Sequence, residues 1–238
     1  MKQLNMDYAI IAAGEGSRLV QEGIKTPKPL IRLHGVALID RLIHIFQENK
    51  ASSISIIVNE EMKEVQEHLK ALKLDIPLNI CIKSTPSSMH SFYELSRFIK
   101  GEKLCLTTVD TIFYEDEFKH YINQFIEDKE FDGLMAVTDY IDDEKPLYID
   151  VDENLTIRNF YDTNECGCKY ISGGIYCLKQ NAIIVLKVAL ESGMSRMRNY
   201  QKTLVKEGLQ LKACPFKKII DVDHAEDIQK AELFLKQH

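Results

Sequence analysis

Residues 9–30 read AIIAAGEGSRLVQEGIKTPKPL. An apolar run ends in Gly14 and Gly16, Arg18 follows, and Lys28 stands between Pro27 and Pro29. Glycines between a strand and a helix let backbone N–H groups approach phosphate oxygens, and the start of the helix adds positive potential. The third glycine of a dinucleotide fingerprint would fall on Leu19, and no Gly-Lys-Ser/Thr follows as in a Walker A loop. Proline fixes φ on both sides of Lys28, which predicts a stiff, extended path presenting one ammonium. A lone surface lysine is ordinarily just solvated. One held this way beside a glycine loop and an arginine suits a positioned cation in a phosphate site.

The elements that must carry these residues follow from the apolar pattern. Tyr8–Ala13 reads as a strand entering the glycine loop, Val36–Asn49 as a helix, and Ser53–Asn59 as a β-branched strand. Met62–Leu72 (helix), Leu78–Ile82 (strand), Ser88–Ile99 (helix) and Leu104–Val109 (strand) continue the alternation up to Asp110. Short connections between alternating strands and helices predict an α/β fold, a doubly wound, mostly parallel Rossmann-like sheet. Ligands of such sheets gather at the carboxyl ends of the strands, where both the glycine loop and Asp110 fall. After about residue 130 the rhythm changes. Leu134–Asp139 is a strand, and Leu147–Val151 and Leu155–Phe160 form an inserted β-hairpin around Asp152-Glu153-Asn154. Ile171–Leu178 (strand), Ala182–Glu191 and Met197–Glu207 (helices), Lys218–Val222 (strand) and a helix from Ala225 complete the chain.

The 238 residues are expected to form one domain, with about residues 1–115 as a nucleotide-binding half and about 116–238 as an acceptor-binding half. A net charge of -6 argues against a general nucleic-acid binder. The N-terminal stretch has no membrane-spanning run and no signal-peptide pattern, which predicts a cytoplasmic protein without a membrane partner. Six cysteines lack CxxC spacing and are expected to be reduced and mostly buried; Cys166-Gly167-Cys168 has no further ligands at metal spacing. Asp150–Asn154 imitates the start of a calcium loop, but Leu155 and Tyr161 stand where glycine and glutamate are required, so a turn is expected.

The string AAGEGSRL followed by KTPKPL resembles the signature of sugar-phosphate nucleotidylyltransferases and of the related phosphocholine cytidylyltransferases. The resemblance runs in order along nearly the whole chain. It implies the fold of the nucleotide-diphospho-sugar transferases and transfer of a nucleoside monophosphate, from its triphosphate, to a sugar 1-phosphate or a phosphorylated small alcohol. On it, Ala12, Ala13, Gly14, Glu15, Gly16 and Ser17 hold the nucleotide, and Arg18 and Lys28 are the catalytic cations. Thr108–Phe113 matches the strand end whose aspartate, here Asp110, binds Mg²⁺. Ile219–Asp227 matches the segment supplying the other ligand: Asp221 by the sugar-phosphate branch, Asp223 by the phosphocholine branch.

Asp223 also reads as a cap for the final helix. Ser88 falls in the region that faces the base in relatives, although Ser87 or Ser88 also suits a helix cap. Tyr170–Tyr176 resembles the strand whose glycine lies against the acceptor, which brings in Gly173 and Gly174; close packing explains the same glycines. Where many sugar-phosphate members carry Glu-Lys after the hairpin, this chain has Tyr161-Asp162-Thr163, and Lys169 is the candidate substitute for that lysine. Three rivals stand beside this reading. A molybdopterin-type nucleotidylyltransferase shares the loop and lysine. A non-catalytic nucleotide-binding module would not need the full charge set. A glycosyltransferase would need a second aspartate near Asp110.

Overall fold

The computed structural model describes residues 6–142 and 144–236. Strand β1 (Met6–Ala12) is buried along its whole length. Tyr8, Ile10 and Ala12 face one apolar core and Ala9 and Ile11 the other, as the two-residue period of a strand covered on both faces requires. The glycine loop leads to the short helix α1 (Ser17–Gln21), and a hairpin of β2 (Arg32–Leu33) and β3 (Val36–Ala37) leads to α2 (Leu38–Glu48). Then follow β4 (Ala51–Val58), α3 (Lys63–Ala71), β5 (Leu78–Ile82), α4 (Ser88–Ser96), β6 (Lys103–Thr108), β7 (Thr111–Ile112) and α5 (Glu115–Glu127). The remainder is β8 (Gly133–Thr138), β9 (Tyr148–Val151), β10 (Ile157–Tyr161), β11 (Tyr170–Lys179), α6 (Gln180–Glu191), α7 (Met197–Lys206), β12 (Leu211–Phe216), β13 (Ile220–Asp221) and α8 (Ala225–Leu235).

The main sheet runs β10-β9-β11-β6-β1-β4-β5, with β8 joining β11 to β12. Its parallel part, β6-β1-β4-β5, is the doubly wound unit expected from the alternating pattern. Strand β11 is antiparallel to β6, β8 and β9, and the hairpin β9–β10 continues the sheet beyond it. One core contains the aromatic stack Tyr8–Phe46–Phe118–Phe113, with neighbouring ring centroids 4.3, 5.7 and 4.8 Å apart. The other packs Phe92 of α4 against Tyr200 of α7 at 6.0 Å. Among the described residues no helix is long and apolar enough to cross a membrane.

The structure departs from the sequence expectations at several elements. Val36 and Ala37 pair with β2 instead of opening the helix, which begins at Leu38. The expected strand Lys218–Val222 is paired only at Ile220–Asp221. Helix α5 and strand β12 were not anticipated. Helix α5 buries Phe118, Tyr121, Ile122, Phe125 and Ile126, a stripe at helical spacing beneath an acidic first turn. Strand β12 contains Pro215, which it tolerates because β8 is its one strand partner and its other side carries only an isolated bridge near its start, Lys212 to Thr156 with the Ala213 N–H on the Leu155 carbonyl, short of the proline. All six cysteines are free, but burial is less general than expected: Cys105, Cys177 and Cys214 are buried, and Cys166 is exposed.

Candidate active site

The glycine loop and Lys28 are built against each other. Gly16 sits at φ +61°, a left-handed conformation that favours glycine, and a Cβ there would stand 3.4 Å from Lys28 Cβ. A Cβ at Gly14 would meet nothing within 4 Å, which leaves open space on that side of the loop for a ligand. Helix α1 has only five residues, so backbone N–H groups of the loop, more than a helix dipole, are its offer to an anion. Pro27 is extended (φ −53°, ψ 136°), as expected, but Lys28–Leu30 then forms one 3₁₀ turn instead of continuing the extended path. Pro29 fits within that first turn because its missing N–H has no partner to lose there. The turn aims Lys28 inward and leaves it 8% exposed.

The Lys28 ammonium donates to Asp110 Oδ2 and Asp223 Oδ1, each at 2.7 Å. Burial works against its charge, but the attraction and hydrogen bonds of Asp110 and then Asp223 prevail and raise its pKa above the usual lysine value. Arg18 reaches the other oxygen of Asp223 at 3.3 Å and Glu144 at 3.2 Å. These partners come together through a two-stranded ladder: β13 pairs antiparallel with β7, Asp221 stands opposite Thr111, and the Val222 N–H donates to the Asp110 carbonyl at 3.1 Å. Asp223 does not cap the last helix. The Asp227 carboxylate accepts the N–H groups of Asp223 and His224 at 3.1 and 2.8 Å, which frees the Asp223 carboxylate for Lys28.

Asp221 opens to the cleft yet is ringed by protein. Lost hydration, and then the carboxylates of Asp110 and Asp223, push its carboxyl up to about 8, against a hydrogen bond from Thr111 and the charge of Lys28. Because water reaches its side chain, crowding by the neighbouring carboxylates is the more durable of these causes. Asp110 Oδ1 is buried without a hydrogen-bond partner. An orphaned carboxylate oxygen beside a crowded carboxylate fits a divalent cation. Among the described residues no group of three or more His, Cys, Asp or Glu is arranged to hold a metal. A hard divalent cation can also be held by one or two carboxylates and completed by substrate oxygens.

Beyond these groups opens a cleft of about 590 Å³, lined by Arg18, Tyr140, Ser172, Gly173, Asp221 and Asp223 among others. Gly173 is in the lining, but its missing side chain is explained by Ile219: a Cβ would overlap Ile219 Cδ1 and stand 3.1 Å from the Ala136 carbonyl oxygen. Gly174 has φ +75° at the irregularity in β11 between Ser172 and Tyr176. Lys169 is not among the lining residues; its ammonium lies 4.9 Å from the Tyr170 ring centroid and 4.0 Å from Asp139. Asp162, in the stretch expected to depart from the sugar-phosphate pattern, is paired with Arg198 and Lys202 of α7 at 2.9 and 2.5 Å. Ser87 caps α4 and Ser88 is its first residue, outside the cleft lining.

Sequence reasoning missed Glu22, whose carboxylate accepts from His224 Nδ1 and the Ala225 N–H at 2.6 Å each and so ties α1 to α8. It also missed Glu144 and Ser172. Neither Glu22 nor Glu144 belongs to a recognisable spacing; Ser172 stood beside the two glycines already singled out.

The sequence pattern of the nucleotidyl transferase family matches residues 8–238. The chain belongs to this family. Among curated proteins it is similar to the bifunctional protein GlmU of Methanococcus maripaludis, 23% identical over 209 residues, 85% of this chain and 48% of that one. It is also similar to the bifunctional IPC transferase and DIPP synthase of Thermococcus kodakarensis, 26% identical over 150 residues, 63% of this chain and 31% of that one. The chain thus spans half or less of the length of these relatives. Among solved structures, the inositol-1-phosphate CTP transferase from T. maritima superposes with a TM-score of 0.82 at 18% identity, covering 99% of this chain and 97% of that one. This nucleotidyl transferase therefore has the α/β architecture of its family, with the mainly parallel sheet in its first half.

Proposed function

We propose that the protein is a Mg²⁺-dependent nucleotidyltransferase. It moves a nucleoside monophosphate from a nucleoside triphosphate to a small phosphorylated acceptor and releases pyrophosphate. The observation that carries this reading is the Lys28 ammonium, packed beneath Gly16 and shared by Asp110 and Asp223. The acceptor phosphate is already a nucleophile, so the reaction needs no general base, only alignment and charge neutralisation. Gly14 and Gly16 seat the triphosphate on backbone N–H groups, with Ala12, Ala13, Glu15 and Ser17 completing that seat. Lys28 holds positive charge where two anionic phosphates must meet, and Arg18 neutralises the pyrophosphate that leaves.

The ion pairs of Arg18 involve side chains that are half exposed or nearly so, and such pairs are weak. Exchanging those carboxylates for phosphate oxygens therefore costs Arg18 little. Asp110 and Asp221, with Asp223 beside them, would hold the magnesium ion, which when bound supplies further charge neutralisation on the phosphates.

Residues of about 1–115 provide the nucleotide site in this reading, and those of about 116–238, with Gly173 and Gly174, the acceptor site. The names of the similar proteins point to sugar or inositol phosphates as acceptors. The test is pyrophosphate release by the purified protein with MgCl₂, each nucleoside triphosphate being offered against glucose 1-phosphate, myo-inositol 1-phosphate and phosphocholine. Release that requires metal, one nucleotide and one acceptor is expected. Nucleotide binding without release in any combination would instead favour the binding-module reading.

A further inference from the structure

Helix α1 follows the glycine loop and carries Arg18, yet packing scarcely anchors it. Of its five residues Leu19 alone is buried, and Val20 is 60% exposed. A helix this short has little stability of its own, so its place is set by its contacts. Those it makes with the segment bearing Asp223 are polar. Arg18 pairs with the Asp223 carboxylate at 3.3 Å. Glu22 closes the helix, its N–H on the Arg18 carbonyl at 3.0 Å, and its carboxylate accepts from His224 Nδ1 and the Ala225 N–H at 2.6 Å each. Residues four apart share a helix face, so α1 holds three consecutive residues, Asp223, His224 and Ala225. The holds are unequal. Arg18 meets Asp223 and Glu144 through side chains that are half-exposed or nearly so, and such pairs are weak. The Glu22 bonds are short and charge-assisted, and the one to Ala225 ends on backbone, which only donates and cannot turn away.

We infer that Glu22 is a positioning residue: by clamping His224 and Ala225 it holds α1 against α8 and so keeps Arg18 beside Asp223 and Lys28, where the triphosphate binds. This deepens the transferase reading and rests on the nucleotide site which that reading assigns. Glu22 is itself an anion among groups that must receive an anion. On its charge alone it repels nucleotide, and its removal should tighten binding. As a clamp it acts through Arg18 with the opposite sign, because a cation that is no longer held in place contributes less to a ligand it must meet at a fixed point. Two substitutions separate these effects. Glu22→Gln drops the charge but keeps an oxygen for the Ala225 N–H, whereas Glu22→Ala drops both.

Titration calorimetry on the intact protein with MgCl₂ and, in turn, ATP, CTP, GTP, UTP and dTTP gives the Kd of the nucleotide that the wild type binds best. Pyrophosphate release with that nucleotide gives kcat and KM. Glu22→Ala should weaken nucleotide binding about tenfold, the worth of one charge-assisted bond, and lower kcat/KM for nucleotide at least as much, with the acceptor KM little changed. Glu22→Gln should bind nucleotide at least as tightly as the wild type. In an Arg18→Met background, Glu22→Ala should cost little further. The Glu22 side chain is 37% exposed, so the melting temperature of Glu22→Ala should fall by no more than about 4 °C, too little for partial unfolding to explain the loss. Unchanged or tighter nucleotide binding by Glu22→Ala, a Gln variant as poor as the Ala one, or a full tenfold loss added to Arg18→Met overturns the inference and leaves the transferase reading intact. Nucleotide binding without turnover by the wild type refutes the transferase reading, while the Kd values still decide the role of Glu22. A wild type that binds no nucleotide overturns both.

Discussion

Lys28→Met is the substitution in which stability and chemistry part company. Methionine keeps most of the stem length and removes the charge. Asp110, 17% exposed at its side chain, and Asp223, 44% exposed, then lose a cation 2.7 Å from each and face each other and Asp221 uncompensated. Breaking a fully buried pair by removing one partner costs about 3–5 kcal/mol, but water reaches Asp223 and screens part of that. About 2 kcal/mol is therefore expected. For a chain of this size that lowers the melting temperature by roughly 4–8 °C.

The same loss leaves three carboxylates with a stronger call for a divalent ion. Magnesium chloride should accordingly raise the melting temperature of Lys28→Met more than that of the wild type. Turnover should still fall about 10²-fold or more with metal present, because the ion does not replace the ammonium at the transferring phosphates. Thermal melts with and without MgCl₂, read beside pyrophosphate release, make the test. A variant that melts like the wild type, gains no more from magnesium and turns over normally would refute the assignment of Lys28 as the cation of this site.

Gly173→Ala should cost about 1–3 kcal/mol in urea denaturation, since its Cβ would overlap Ile219 Cδ1 and press on the Ala136 carbonyl. Ile219→Val deletes that Cδ1, so Gly173→Ala should cost less in its background; an equal cost in both backgrounds would show that Ile219 is not the obstacle. At the opposite end of β1, the buried Asp7 carboxylate accepts from Ser52, Ser53 and the N–H groups of Lys100 and Gly101 at 2.7–2.8 Å. Burial acts to raise its pKa, but these hydrogen bonds prevail and hold it below the usual 3.8. A carboxyl depressed on folding contributes stability that is present above its unfolded value and lost as pH falls through its folded one. Asp7→Asn should thus cost about 1–3 kcal/mol at neutral pH, with the difference from wild type shrinking below about pH 4. A difference independent of pH down to acid unfolding would sink that account.

The parallel half of the fold was legible because its signals are local. β1, β4, β5 and β6 are short apolar or β-branched runs, and the helices α2, α3 and α4, each with an apolar stripe, lie between them in the chain. What escaped depends on pairing between distant segments. The ladder of β7 and β13 is two residues long on each side, below the length at which periodicity means anything, yet it sets Asp221 opposite Thr111 and beside Asp110. Pro215 hid β12, because a proline counts against a strand until the strand is known to lie at an edge. Asp223 was ambiguous for a different reason. An aspartate ahead of a helix is a good cap, and its release from that duty is apparent only from Asp227, which takes both N–H groups.

The charges of the site show why the glycine loop and the two prolines belong to one device. Three carboxylates on Asp110, Asp221 and Asp223 would repel one another if nothing stood among them, and lost hydration, then the charges of Asp110 and Asp223, push the Asp221 carboxyl up to about 8. The fixed cation that answers them comes from a segment far away in the sequence. A 3₁₀ turn opened by Pro27 and braced by Pro29 carries it in, and its stem passes a loop residue that has no side chain to obstruct it. Replacing Gly16 would bring a Cβ to 3.4 Å from Lys28 Cβ at a φ that ordinary residues resist, so the glycine loop and the lysine cannot be altered independently. On the proposed function, the opening sequence places glycine, arginine and a proline-flanked lysine within fifteen residues because one end of the sheet would have to hold anionic ligands and anionic metal-binding groups at the same time.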